Sequence, residues 1–298
     1  MRHAWMIIAH NNFPILEKQL RFLDSENADF FIHIDAKVKS ADFDALAAIP
    51  RRSSVTFVTR HSISWGDFSM VEAELSLLRA AVPGKYDYYH LLSGVDVPIK
   101  SRDYIESFFE ENNNINYVNF SHPEIARHDR WRVQFYFPFQ RFNIRKVRLR
   151  RFLRNATIGA QLLLGVDRTK RYPPDTVFQK GTQWFDITRS FAEYILSRED
   201  WIRDTFRSTY CPDELVVQSL AAGSSFRETL RPDAYDGNHR NCCRYLDWKR
   251  GNPYVFTEGD FDELIHADPA CLFARKFDYG SHPEIVDRLF TYYSPDDA

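Results

Sequence analysis

With 298 residues the chain can bury a large core, and at 44% hydrophobic and 27% charged it has the composition of a globular protein. A formal net charge of −2 argues against a generally basic nucleic-acid binder, so no nucleic-acid partner is expected. The four cysteines, Cys211, Cys242, Cys243 and Cys271, have no C-x-x-C spacing and are too few for a disulfide scaffold.

Ala4–Ala9 reads as a first strand with His10-Asn11-Asn12 as its polar end loop, and Pro14 opens a helix over Ile15–Leu23. Phe30–Ile34 is a second strand closed by Asp35-Ala36-Lys37. Ser40 and Asp42 start a short helix through Ala48, and Val55–Val58 is a third strand. The polar loop Ser62–Asp67 carries Trp65, and Phe68–Ala81 is a helix with Val71, Leu75 and Leu78 on one face. The fourth strand, Tyr86–Leu92, stops at Ser93-Gly94. Asp96 stands on the turn, Pro98 prevents a central strand from continuing, and Ser101 caps a helix over Tyr104–Glu110. Strands alternating with helices predict an α/β fold, a Rossmann-like mixed and mostly parallel sheet flanked by helices. His10, Asp35, Trp65 and Asp96 then fall at or just after strand ends, along the edge where such sheets bind nucleotides. Taken alone, the Asp96 turn is more plainly an ordinary strand–turn–helix corner. Neither G-x-x-x-x-G-K-[ST] nor G-x-G-x-x-G occurs, which favours a nucleotide-sugar enzyme over a kinase or dehydrogenase.

In the second half, Ile115–Phe120 reads as a strand and His122–Phe142 mixes charges with aromatics. Phe142–Gly165 has a cationic half and an apolar half. It is either a solvated helix leading into a core helix, or an amphipathic surface from Arg141 to Arg154 for peripheral contact with an anionic membrane. Gly181–Thr188 is a strand, Ser190–Leu196 a helix, and Glu214–Ala222 a helix headed by Cys211-Pro212-Asp213; Asp260–Ile265 and the loop Phe273–Asp278 follow. No composition break divides the chain. Residues 1–298 are expected to form a single domain, with a nucleotide-binding half (1–120) and an acceptor-binding and catalytic half (121–298). No run of about 18 apolar residues occurs, so the expected location is cytoplasmic, at most peripheral at the inner face of the membrane.

Seven segments then stand out in order: AHNN from Ala9, FIHIDAK from Phe31, SISWGDFSMVEAELSLL from Ser62, YYHLLSGVDVPIK from Tyr88, KGTQWFDITR from Lys180, CPDELVVQSL from Cys211 and LFARKFD from Leu272. Together they resemble the core-2/I-branching β-1,6-N-acetylglucosaminyltransferases and the related peptide O-xylosyltransferases, in a bacterial-type form. The resemblance implies a GT-A-like fold, an inverting mechanism and a UDP-sugar donor. It also implies no metal and no other cofactor, because the family lacks the D-x-D metal motif. Asp42-Phe43-Asp44 and Asp260-Phe261-Asp262 have that spacing but read as helix caps.

By the same resemblance Glu214 is the general base and Lys276 binds the diphosphate. Read from its surroundings alone, Glu214 is more plainly, with Asp213, an acid complementing a helix dipole. Arg275 would point to the opposite face of a strand from Lys276. Arg250 is nearest to the family's second cation, loosely aligned. Asp35 matches a donor-site aspartate, Trp65 replaces a tyrosine beside the uracil, and His10 and Asp96 complete the donor side. Arg130, Trp131 and Arg132 lie where the family contacts its acceptor. Gln183 and Trp184 are candidates for the sugar subsites, although Trp184 reads equally as core. The expected reaction moves N-acetylglucosamine, or as second choice xylose, to a glycan, lipid-linked or peptide acceptor. The alternative is a catalytically inactive nucleotide- or carbohydrate-binding protein on the same fold.

Overall fold

The first strand, β1 (His3–Ala9), is buried at every residue, as a strand covered by helices on both faces must be. Its side chains alternate: Met6 and Ile8 enter one apolar cluster, and Trp5, Ile7 and Ala9 enter the other. In this computed structural model, residues 1–140 and 147–294 are described.

After β1 come α1 (Phe13–Phe22), β2 (Ala28–Ile34), α2 (Phe43–Ala47), β3 (Val55–Phe57), α3 (Ser69–Ala81) and β4 (Tyr88–Ser93). Next are β5 (Val97–Pro98), α4 (Arg102–Glu111), β6 (Tyr117–Phe120), α5 (Arg127–Gln134), α6 (Val147–Leu163) and β7 (Gly181–Thr188). The chain ends with α7 (Arg189–Ser197), α8 (Glu199–Phe206), α9 (Val216–Ala222), β8 (Arg244–Leu246), α10 (Phe261–Ile265), β9 (Phe273–Arg275) and α11 (Pro283–Tyr293).

The main sheet runs β3-β2-β1-β4-β7-β6. Its first four strands are parallel, with His3 opposite both Ala28 and Tyr88, and β7 and β6 join antiparallel. This is the expected α/β, GT-A-like arrangement. One face packs residues of α3, α7 and α9 against the sheet, and the other packs α1, α4 and α11. A small sheet, β5-β9-β8, lies beside it. Pro98 occupies its edge strand β5, where a missing N–H costs no ladder bond. Gly181 starts β7 at the β6–β7 irregularity, where a Cβ would stand 1.7 Å from Asn119 O, so only glycine lets the strands approach.

Three expectations need correcting. The loop expected over Phe273–Asp278 opens with strand β9, because buried Phe273 and Ala274 pair with β5 on one side and β8 on the other. The helix expected over Glu214–Ala222 is broken: Pro212–Glu214 forms a 3₁₀ turn, and α9 begins only at Val216. Cys211 at φ 48 and Leu215 at φ −126 cannot both belong to one α-helix, so the proline opens a separate turn. The strand expected at Tyr86 begins at Tyr88, because Asp87 N and Tyr88 N both donate to Arg2 O at the mouth of the sheet. Of the basic segment Arg141–Arg154, residues 141–146 lie outside the described residues; the rest is α6.

Candidate active site

Two loops meet at the C-terminal end of the parallel strands. Asn12, after β1, accepts a bond at its Oδ1 from Tyr279 N at 3.1 Å, tying the AHNN loop to the segment that follows Lys276. Burial and the positive charges of Lys276, Lys37 and Arg275 all hold the His10 imidazole below its usual value, while Asp35 opposes them. Asp35 is buried beside the end of β1, with its N–H on Ala9 O at 3.0 Å and its carboxylate 3.4 Å from Lys37 Nζ. His10, Asp35 and Lys276 therefore gather at one edge.

Asp96 is fully buried and closes its own turn, accepting from Ser93 N at 2.9 Å and Ser93 Oγ at 2.7 Å. Arg275 Nε stands 3.5 Å from Asp96 Oδ1, and the guanidinium lies 4.1 Å over the Trp184 ring. Asp96 and Trp184 thus support a cation from behind, and both are too deeply buried to meet a sugar ring directly. Arg250 is committed elsewhere: its guanidinium binds Asp247, Asp260 and Glu263 and stacks 4.2 Å over Tyr254. Among the described residues, Lys276 makes no ion pair. Both D-x-D pairs are caps: Asp42 accepts from Ala45 N at 3.0 Å, and Asp260 forms a capping box with Thr257.

The carboxylate side is built on the 3₁₀ turn. Glu214 is 33% exposed, and its Oε2 accepts from Arg132 Nη1 at 2.7 Å and lies 3.7 Å from Lys180 Nζ. Arg132 is steadied in turn by Asp129 at 3.2 Å and stacks on Tyr210. Trp65, 61% exposed, meets the same Tyr210 edge-on at 5.7 Å, which places it at the Arg132 end of the site. Of the other acceptor candidates, Arg130 is exposed and Trp131 packs on Phe135. Gln183 donates to Glu74 Oε1 at 3.0 Å.

Glu74, on the buried side of α3, is held well above the usual carboxylate range by burial and then by Asp213. Burial and the adjacent Glu214 push Asp213 up to about 7. Three acids thus sit together, with Arg132 and Lys180 on Glu214. A carboxyl raised by burial beside one clamped by cations is an arrangement acid–base sites use to separate roles.

Sequence reasoning missed Lys180, Tyr210 and Glu74, and set Arg275 aside in favour of Lys276. Lys180 opens the KGTQW segment, so position could have found it. Glu74 stands three residues after Val71 and four before Leu78, on the apolar face of α3, so the spacing could have marked it as buried.

The sheet thus gathers His10, Asp35 and Lys276 at the C-terminal edge of its parallel strands, where such sheets bind their ligands, while Arg132 and Lys180 hold the Glu214 carboxylate. The chain belongs to the core-2/I-branching enzyme family, whose model matches residues 3–264. It is 24% identical to human xylosyltransferase 2 over 97% of this chain and 33% of that protein. A bovine beta-1,3-galactosyl-O-glycosyl-glycoprotein beta-1,6-N-acetylglucosaminyltransferase is 24% identical over 92% of this chain and 65% of its own length. Chimpanzee xylosyltransferase 1 is 23% identical over 98% of this chain and 31% of that protein. The chain thus spans about a third of the xylosyltransferases' length. It is a member of a glycosyltransferase family.

Proposed function

We propose that this protein is an inverting glycosyltransferase that uses a UDP-sugar and needs no metal. The observation that carries the reading is Glu214, partly exposed and fixed through Oε2 by Arg132 at 2.7 Å, on a turn rather than inside a helix. In the reaction the acceptor hydroxyl gives its proton to the Glu214 carboxylate while its oxygen bonds to the anomeric carbon from the face opposite the leaving group. The bond from that carbon to the phosphate oxygen breaks, and its electron pair leaves with UDP. Lys276 and Arg275 supply fixed positive charge that offsets the negative charge the diphosphate gains on departure. Arg275 replaces Arg250 as second cation, because three carboxylates already neutralise Arg250. Arg132 and Lys180 orient the base, and Arg130, Trp131, Trp65 and Gln183 border the acceptor side.

The named relatives transfer xylose or N-acetylglucosamine, and N-acetylglucosamine remains the first choice here. An inactive binding protein would have no use for a clamped base and a diphosphate lysine together. Thermal unfolding with a panel of UDP-sugars tests the reading, since a bound donor adds about 2.7 kcal/mol of stability at a hundred times its Kd. UDP-N-acetylglucosamine or UDP-xylose is expected to raise Tm. If no UDP-sugar does, the assignment fails.

A further inference from the structure

Helix α6 carries apolar residues three and four apart, Leu149, Phe152, Ala156, Ala160 and Leu163, on a face that looks into solvent. Leu149 is 46% exposed, Phe152 66%, Leu163 91% and the following Leu164 78%. The other side of the helix holds it to the fold, and does so with polar groups. Gln161 accepts from Tyr136 N at 2.8 Å and donates to Tyr136 O at 2.9 Å, and Arg154 stacks 5.6 Å over Tyr210. The apolar stripe is therefore not a core face awaiting this fold.

Its charge is as one-sided as its hydrophobicity. Residues 141–171 contain ten Arg and Lys and one acid, Asp167, in a chain with 39 basic and 41 acidic residues overall. Exposed Arg148 and Arg151 flank the stripe. Arginines bordering large apolar side chains are the pattern of helices that lie in a lipid interface. An acidic protein would satisfy the arginines but leaves four large apolar side chains without a reason. No helix among the described residues is long and apolar enough to cross a membrane, so contact through α6 is with the surface.

We propose that α6 seats the protein on an anionic bilayer, with Leu149, Phe152, Leu163 and Leu164 among the acyl chains and Arg148 and Arg151 at the phosphates. Tyr210 links this helix to the site, since it carries both Arg154 of α6 and Arg132, the partner of Glu214. Resting on the reading of Glu214 as the base, that contact turns the acceptor side toward the lipid and selects a lipid-linked glycan among the acceptor classes.

Sedimentation of the purified protein with vesicles of phosphatidylcholine, alone or with phosphatidylglycerol, tests the seating without any turnover. Binding is expected to be at least about tenfold stronger on the anionic vesicles and to fall with added salt. The pair Phe152→Glu with Leu163→Glu should abolish it. The pair Arg148→Gln with Arg151→Gln should weaken it roughly 25-fold, about fivefold per arginine. Both pairs are exposed and away from Glu214 and Lys276, so Tm and UDP binding, read on the same samples, should match wild type. Equal binding to both vesicles, binding to neither, or unchanged binding by the variants would overturn the proposal. None of those results bears on UDP-sugar binding, which stands or falls separately.

Discussion

Replacing Arg244 with methionine should unfold much of the protein's margin of stability. Arg244 and Asp186 are both fully buried, joined at 2.9 Å between Nη1 and Oδ2 and at 3.4 Å between Nη2 and Oδ1. The guanidinium also donates to Leu91 O and Cys242 O, each at 2.8 Å, so one side chain pins β8 to β4. Asp186 then accepts only from His90 Nδ1, at 2.8 Å. That histidine is itself held below its usual value by burial, and a neutral imidazole cannot balance a buried carboxylate. Removing one partner of a buried pair costs about 3–5 kcal/mol, against a total of roughly 5–15 kcal/mol for a typical domain. Adding Asp186→Asn removes the stranded charge, so the double variant should recover part of the loss. Urea unfolding of wild type, both singles and the double gives the coupling. A single-variant loss below about 1 kcal/mol, in the range of surface pairs, would refute the view that this pair locks the two sheets.

Lys276→Ala should weaken UDP binding and slow transfer by about 2.7–4 kcal/mol, the scale of a lost electrostatic stabiliser. Wild-type activity should survive EDTA, and manganese should not rescue the variant; restoration by manganese after EDTA inactivation would put the phosphate charge on an ion. Stability should also fall in mild acid. Burial lowers His3 to about 2 and His33 to about 4, below the unfolded value of 6.5. Their contribution is complete above pH 6.5 and is lost as the pH falls toward the folded values, because the unfolded chain takes up the protons first. Between pH 6.5 and 5.5 each costs roughly 1 kcal/mol, which urea midpoints at the two pH values would reveal; a flat profile would show that both rings charge freely in the fold.

The sheet was legible because its strands are short apolar runs separated by helical periodicity, and the hidden parts are those that break such patterns. β8 is three residues long and its first, Arg244, is a fully buried cation, so neither length nor hydropathy marks it. Its partner Asp186 sits in the middle of a strand that reads as apolar. Glu74 differs: its spacing from Val71 and Leu78 puts it on the apolar face of α3, but only the fold brings Gln183 and Asp213 against it. The turn at Glu214 depends on a left-handed Cys211, a conformation that sequence signals normally reserve for glycine or asparagine. Cys211 N donates to Gly66 O at 3.0 Å, so a distant loop holds that strain in place. Arg250 differs from its expectation for the opposite reason. A loose match to the family's arginine upstream of Lys276 suggested a phosphate ligand, but three acids surround its guanidinium in the fold.

The most direct measurement is the turnover of Glu214→Gln beside its affinity for UDP. The amide keeps the shape of the side chain and can still accept a bond from Arg132, but it cannot take a proton from the acceptor. Turnover should fall by at least about a hundredfold, the lower end of general-base loss, while UDP binds as to wild type. A variant that keeps most of its transfer activity would contradict the account, reducing Glu214 to a partner for Arg132 and moving the base elsewhere.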